Sequence, residues 1–348
     1  MMRAIVVGSG VVGLGGAFLL ALEGYRVRVI TRNPEEATSW VAGGMLAPFS
    51  EGLVGSMFDF SYESLKEYPS FVKRLEEVSG QKVDYWQEGI FRLALKGEED
   101  VISKAKEYKS LGYKVEFVEP SSLGWLSEEV GGVVYYEEEG WVDTESLMDA
   151  LLFACERLGV EITIDEVVRV HKKDSRVESL QGLKESYRAD LYLFCTGAWT
   201  KELFDLPVFP VKGQALKVKG VPLQRVHYSS ASYLIPRSRY LYIGATSEVN
   251  TFYDRNTLEG LYRLSYGAIK VVPSLSRAEF LSAVVGFRPA TPDELPIFEL
   301  GENYLLATGH YRNGILHAPL TARLMLEWAK EGKKSPYFES FSSKRFFE

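Results

Sequence analysis

The sequence is poor in the residues that carry sulfur and metal chemistry. It has two cysteines, Cys155 and Cys195, and four histidines in 348 residues. Each cysteine lies in an apolar stretch and reads as a buried free thiol. That excludes a disulfide framework and fits a reducing, cytoplasmic setting. The two cysteines and the scattered histidines show no metal-ligand spacing, so no metal is expected. A G-x-S-x-G elbow is missing, which excludes that serine-nucleophile class. Positive charge is not in excess: 40 Lys and Arg stand against 47 Asp and Glu, a net charge of −7. Nucleic acid and anionic membrane are therefore not the expected partners. The one long uncharged run, Ala4 to Leu22, is broken by five glycines and lacks a cleavage-site pattern, so neither a membrane span nor an export segment is read there. Asn and Gln are scarce beside Lys and Glu, a bias found in heat-adapted proteins.

What is present begins at the first thirty residues. Arg3 to Val7 is a β-rich run, and Gly8-Ser9-Gly10-Val11-Val12-Gly13 follows as G-x-G-x-x-G. Residues 11 to 23 suit a helix that Gly24 stops, and Tyr25 to Ile30 alternates like a second strand. This is the dinucleotide-binding fingerprint in its strand–turn–helix–strand context. Gly8 allows the turn, Gly10 lets a pyrophosphate approach, and Gly13 lets helix and strand pack. An acidic residue usually ends the second strand to hold ribose hydroxyls. Here that place is Thr31, followed by Arg32, which would suit a 2′-phosphate. The motif alone leaves FAD, NAD and NADP open.

Further along, 33–51 is rich in small residues and reads as a loop covering the cofactor. Helices are expected over 58–78, 147–158 (capped by Asp143 or Thr144), 256–271 and 315–330. Strands are expected over 82–95, 113–119, 160–170, 189–195 and 304–307, with a strand-dense stretch at 210–246 for an antiparallel substrate sheet. The turn Thr196-Gly197 after a buried strand is a second close approach to a nucleotide. Close-approach turns near 8, 44, 197 and 309 imply interleaved domains. The expected class is mixed α/β: a Rossmann-like cofactor domain (1–80, 140–205 and 285–340) interleaved with an antiparallel-sheet substrate domain (81–139 and 206–284).

Four separated segments carry a resemblance: Gly8–Gly13 with Ala42-Gly43-Gly44-Met45-Leu46-Ala47-Pro48; Pro210-Val211-Lys212-Gly213-Gln214; Tyr233-Leu234-Ile235-Pro236-Arg237 with Gly244-Ala245-Thr246; and Gly286-Phe287-Arg288-Pro289-Ala290-Thr291-Pro292-Asp293 with Gly309-His310-Tyr311-Arg312-Asn313-Gly314-Ile315-Leu316. In this order they resemble the D-amino-acid oxidase superfamily of FAD enzymes, and within it the bacterial glycine oxidases of thiamine thiazole synthesis. The resemblance implies that FAD meets Val11, Val12, Thr31, Arg32, Thr38, Ser39, Gly43, Gly44 and Met45. It also implies that Val167 meets the adenine side and that His310, Tyr311, Arg312, Asn313, Gly314, Ile315 and Leu316 wrap the isoalloxazine. Gly8, Gly10, Gly13, Thr196, Gly197 and Gly309 complete the expected cofactor set. Tyr233, Arg288 and Arg312 are implied to bind substrate. The implied reaction is oxidation of an amine to an imine with dioxygen reduced to hydrogen peroxide.

The residue chemistry agrees. A small amino acid offers one carboxylate, and a guanidinium such as Arg288 grips it with two parallel hydrogen bonds. The Tyr233 phenol adds a donor. Orientation then suffices, and no side-chain base is assigned. Each residue also has a plain structural reading: Arg288 as a surface ion pair, Arg312 as a strand cap, Tyr233 as core. His310 reads as a backbone contact and Cys195 as core. Ala231 and Ser247 are expected to line the pocket and tune substrate size. The leading expectation is an FAD-dependent oxidase of glycine or small D- or N-methyl amino acids. A same-fold dehydrogenase with a quinone or protein acceptor, or a non-catalytic nucleotide-binding protein, are the alternatives. A homo-oligomer and a thiazole-synthesis partner are also expected.

Overall fold

The structure, a computed structural model, describes residues 1–347. Its helices are α1 (Val11–Leu22), α2 (Gly55–Ser79), α3 (Glu99–Ser110), α4 (Thr144–Arg157), α5 (Leu258–Val271), α6 (Gly314–Glu331) and α7 (Pro336–Ser340). No helix among the described residues is long and apolar enough to cross a membrane.

Two large sheets organise the molecule. The first has six strands, in the order Ile297–Leu300, Tyr304–Thr308, Leu191–Phe194, Arg3–Val7, Arg26–Thr31 and Glu161–Ile164. All pairings are parallel except that of the Ile297–Leu300 edge. Leu191–Phe194 is buried throughout, as befits a strand covered on both faces. One face packs on α1, α2, α4 and α6 through Leu14, Phe18, Leu65, Leu147, Leu151 and Leu320. The other packs, through Ile5, Val7 and Ile30, on a three-stranded sheet of residues 167–187 carrying Val167, Val177 and Leu180.

The second sheet has nine strands drawn from residues 90–136 and 209–290 and is antiparallel except where Val226–Tyr228 pairs with Ile90–Leu95. Its longest pairing joins Phe209–Lys219 to Glu279–Ala290, from Phe209 opposite Ala290 to Lys219 opposite Glu279. α5 lays Leu264, Ala268 and Val271 on this sheet against Leu216, Leu241 and Ile243. The mixed α/β class is the one expected. The expected helices at 58–78, 147–158, 256–271 and 315–330 are α2, α4, α5 and α6, with Asp143 as the N-cap of α4, accepting from the Ser146 N–H at 2.9 Å.

Several elements were not legible in the sequence, among them α3, α7 and the strands Val130–Tyr136, Arg176–Gly182, Glu279–Ala290 and Ile297–Leu300. α3 buries only Val101, Ala105 and Tyr108 and apart from Ile102 is otherwise polar, so its apolar period is weak. Glu279–Ala290 runs unbroken through residue 285, so the partition drawn there divides a strand.

Candidate active site

One cavity of about 700 Å³ runs from the Gly8 turn to the second sheet. At its first end Gly8 has φ +108°, and a Cβ there would sit 2.3 Å from the Cys195 carbonyl oxygen. A Cβ on Gly13 would sit 2.1 Å from the Gly8 carbonyl oxygen. Strand, turn and helix are thus in contact at distances only glycine permits. Gly10 is the N-cap of α1 and supplies no side-chain acceptor, and the first turn holds no acid. The Val11 N–H donates to Ser39 Oγ at 3.0 Å. The rest of that turn keeps unpaired N–H groups and the positive dipole end toward the cavity.

Thr31 is tied to the turn, its Oγ1 2.8 Å from Ser9 Oγ. Arg32 lies over the Trp199 ring (4.8 Å to the centroid) between Glu166 (3.8 Å) and Glu202 (3.6 Å). Two carboxylates already match its charge, which removes the reason to expect a 2′-phosphate there. Thr38 Oγ1 donates to the Phe287 carbonyl (3.0 Å) and accepts from its N–H (3.1 Å), fixing the covering loop to the second sheet. Thr196, Gly197 (φ +53°) and Val167 also line this half.

The middle of the cavity is walled by Ala42 to Met45. Gly44 has φ +72°, and a Cβ would meet the Val142 carbonyl at 2.2 Å. Beneath lies Arg237, whose role the sequence pattern does not show. It is buried, donates to the Val142 carbonyl (2.6 Å) and the Gly43 carbonyl, and faces Asp143 at 3.7 Å. Burial lowers its pKa, with Asp143 opposing. A cation pinned between two carbonyls makes this loop a fixed wall.

The far end brings Tyr233, Arg288 and Arg312 to the same cavity. Arg288 Nη1 donates to the Thr246 carbonyl at 3.1 Å. Its guanidinium lies on Gly213, where a Cβ would be 2.5 Å from Nη2. The Tyr233 ring lies likewise on Gly244, with a virtual Cβ 2.3 Å from Cε2. Each of the two side chains thus rests on a glycine of a neighbouring strand, held by the sheet register. Burial raises the Tyr233 pKa, so its phenol keeps its proton as a donor. Arg312 Nη1 is 3.1 Å from Glu51, whose charge raises the Arg312 pKa. Arg92, over the Tyr228 ring at 4.7 Å, completes a polar rim with Glu51 and Tyr228. Arg92, Tyr228 and Glu51 escaped sequence reasoning because only strand pairing brings them here. Ala231 and Ser247 line the cavity, as the sequence suggested.

His310 lines the cavity but has no base character. Its Nδ1 is 3.1 Å from His317 Nδ1, and burial pushes its pKa down to about 4. Its buried Nε2 has no partner among the described residues. Gly13, Gly309 and Leu316 do not line the cavity. Gly13 is closed off by the Gly8 carbonyl. Gly309 (φ +70°) turns the chain against Thr291, where a Cβ would be 2.8 Å from Cγ2. Leu316 is fully buried in the core under α6.

α6 opens onto the cavity at Gly314 and Ile315 with no side-chain cap. Pro319 lacks the N–H that would reach the Ile315 carbonyl, and Tyr68 Oη of α2 donates there instead at 2.6 Å. Ser64 Oγ donates to the Leu316 carbonyl (2.6 Å) and accepts from the Leu320 N–H (3.3 Å), bridging the next helical bond. Ser61 Oγ is 2.8 Å from His317 Nε2. A polar stripe of α2 therefore fixes the start of α6.

The residues present fit a dinucleotide cofactor. A glycine cradle and helix N-terminus suit a pyrophosphate, a fixed loop walls the middle, and a second helix N-terminus faces the far end. The chain belongs to the FAD-dependent oxidoreductase family, whose model matches residues 3–328. Its cofactor is FAD. It is 37% identical over 360 residues to the bifunctional protein ThiO/ThiG of Trichormus variabilis, covering 98% of this chain and 55% of that one. The chain thus spans about half the length of such bifunctional relatives. It is 30% identical over 345 residues to the glycine oxidase of Geobacillus kaustophilus, covering 92% and 91% of the two chains. The crystal structure of glycine oxidase from that organism superposes with a TM-score of 0.92, covering 99% of each chain.

Proposed function

We propose that this protein is an FAD-dependent oxidase of a small amino acid, glycine first. In this reading the amine is oxidised to the imine, dioxygen is reduced to hydrogen peroxide, and the imine is used in thiazole formation. The observation that carries the proposal is the convergence of Arg288 and Tyr233 at the end of the cavity away from the glycine cradle. Arg288 holds the substrate carboxylate and Tyr233 donates to it, so the amino acid has one orientation. Arg312, Tyr228 and Glu51 close the rim around the amine end.

When bound, FAD supplies the acceptor for the electron pair of the α-carbon hydrogen. No side-chain base is assigned in this reading. His310 and His317 are held neutral and engaged with each other, and burial pushes the Tyr228 and Tyr233 phenols up. No base is required when the amine binds unprotonated. The N–H groups at the start of α6 favour negative charge on the group facing them. FAD is held at its nucleotide end by Gly8, Gly10, Val11, Val12, Thr31, Thr38 and Ser39, with Gly43, Gly44 and Met45 along it. The ThiO/ThiG relative supports a thiazole-forming partner, and the two free, buried cysteines support a reducing cytoplasm.

Purified protein is expected to show flavin absorption bands and to produce peroxide with glycine in an oxygen electrode. Dye reduction without peroxide would instead assign a dehydrogenase. Absence of bound flavin would refute both.

A further inference from the structure

Lys212 is an unusual core residue. Its side chain is fully buried in the strand Phe209–Lys219, with Glu248 3.3 Å from Nζ and the Tyr253 ring 4.8 Å away. Glu248 is itself 39% exposed, so the pair is only half desolvated, and burying the Lys212 ammonium against it gains little stability over an apolar side chain of the same volume. Glu248 also accepts from Gln214 Nε2 (2.6 Å) and Thr246 Oγ1 (3.3 Å). Thr246 Oγ1 accepts from the Gln214 N–H (2.9 Å), and the Thr246 N–H donates to the Gln214 carbonyl (3.1 Å). The remaining carbonyl of Thr246 is the one that holds Arg288 Nη1. Gln214 further reaches Thr257, the N-cap of α5, through Nε2 (3.1 Å) and Oε1 (2.7 Å). Gly213, between Lys212 and Gln214, leaves the space the guanidinium occupies.

We propose that the Lys212–Glu248–Gln214 network is a positioning device for Arg288, with Gly213 as its steric complement, and that it sets affinity for the substrate carboxylate. The proposal rests on the reading of Arg288 as the carboxylate-binding side chain. A free arginine loses rotamer freedom when it grips a ligand, and a guanidinium already fixed does not. Three hydrogen bonds of the network hold Thr246 by its N–H and its hydroxyl, and its carbonyl, placed by them, receives the fork. Lys212 and Glu248 touch neither substrate nor cofactor and act only through Thr246.

The test uses the holoenzyme and acetate, a carboxylate that cannot be oxidised, titrated against the flavin visible spectrum, beside steady-state kinetics with glycine. Lys212→Met and Glu248→Gln are each expected to weaken acetate and raise the glycine KM about tenfold, with kcat falling far less and FAD content retained. Their double variant should be no worse than the poorer single one. Lys212→Arg should restore binding, and Gly213→Ala should weaken it at least as much. If Lys212→Met does not accumulate folded, Glu248→Gln and Lys212→Arg decide. Acetate affinity within about twofold of the parent in Glu248→Gln and Lys212→Met, while Arg288→Ala loses it, overturns the network. Unchanged acetate binding in Arg288→Ala overturns the carboxylate assignment itself.

Discussion

At the scale of residues, the site is defined by what its charged groups already hold. Arg32 is matched by Glu166 and Glu202, and Arg312 by Glu51, whereas Arg288 has a carbonyl and, among the described residues, no carboxylate. Of the arginines named from the sequence, Arg288 is thus the one left to meet an anion. Arg288→Ala should lower kcat/KM for glycine by roughly two orders of magnitude, the scale of losing about 3 kcal/mol of charge-assisted hydrogen bonds. Arg288→Lys should recover only part, since an ammonium cannot form the planar fork. Steady-state kinetics at saturating oxygen measures both. A variant with full turnover would remove Arg288 from the site.

At the scale of elements, the start of α6 depends on α2. The sequence shows Pro319 inside a helical pattern and Tyr68 on an apolar face, but not that one completes the other. Tyr68→Phe leaves the buried Ile315 carbonyl unpaired at little change in volume. A loss of about 1–3 kcal/mol of stability is expected, read as a lowered melting temperature of the holoenzyme. Because Ile315 lines the cavity, weaker FAD retention should accompany it. An unchanged melting temperature would mean that the carbonyl finds another donor. The loop Ala42 to Met45 follows the same logic: its glycines were legible as a close approach, while Arg237, which pins it, reads in sequence as one more strand-end cation.

At the scale of the whole molecule, buried titratable groups set the pH range of stability. Burial pushes the Glu139 carboxyl up to about 8, even though it accepts from the Phe49 and Ser50 N–H groups and the Ser50 hydroxyl. A raised carboxyl contributes stability that is full below about 4.5 and is lost as pH rises through 8. Burial holds His227 and His310 at about 4 and His317 well below 6.5. Their contribution is full above 6.5 and is lost as pH falls. Three histidines outweigh one carboxyl below 6.5, and the carboxyl acts alone above it. Stability should therefore peak near pH 6.5. Melting temperatures between pH 4.5 and 8.5 check this, and Glu139→Gln should flatten the alkaline side alone. A parent profile flat from pH 5 to 8 would refute both assignments.

The sequence by itself determined the cofactor cradle and the class. Gly8, Gly10 and Gly13 act through backbone geometry within one local unit, so their spacing carries their meaning. The turns at Gly44 and Gly197 were legible for the same reason, as were the helices with a strong apolar period. Only the tertiary structure decided how the reacting end is built. Arg92, Tyr228, Glu51 and the Lys212–Glu248–Gln214 network come together through pairings between strands far apart in the chain, and local pattern holds no record of register. It also decided that Arg32 is already matched, that Leu316 is core, and that Glu279–Ala290 is one strand. Each of these follows from which distant groups lie within a few ångströms, a property of packing.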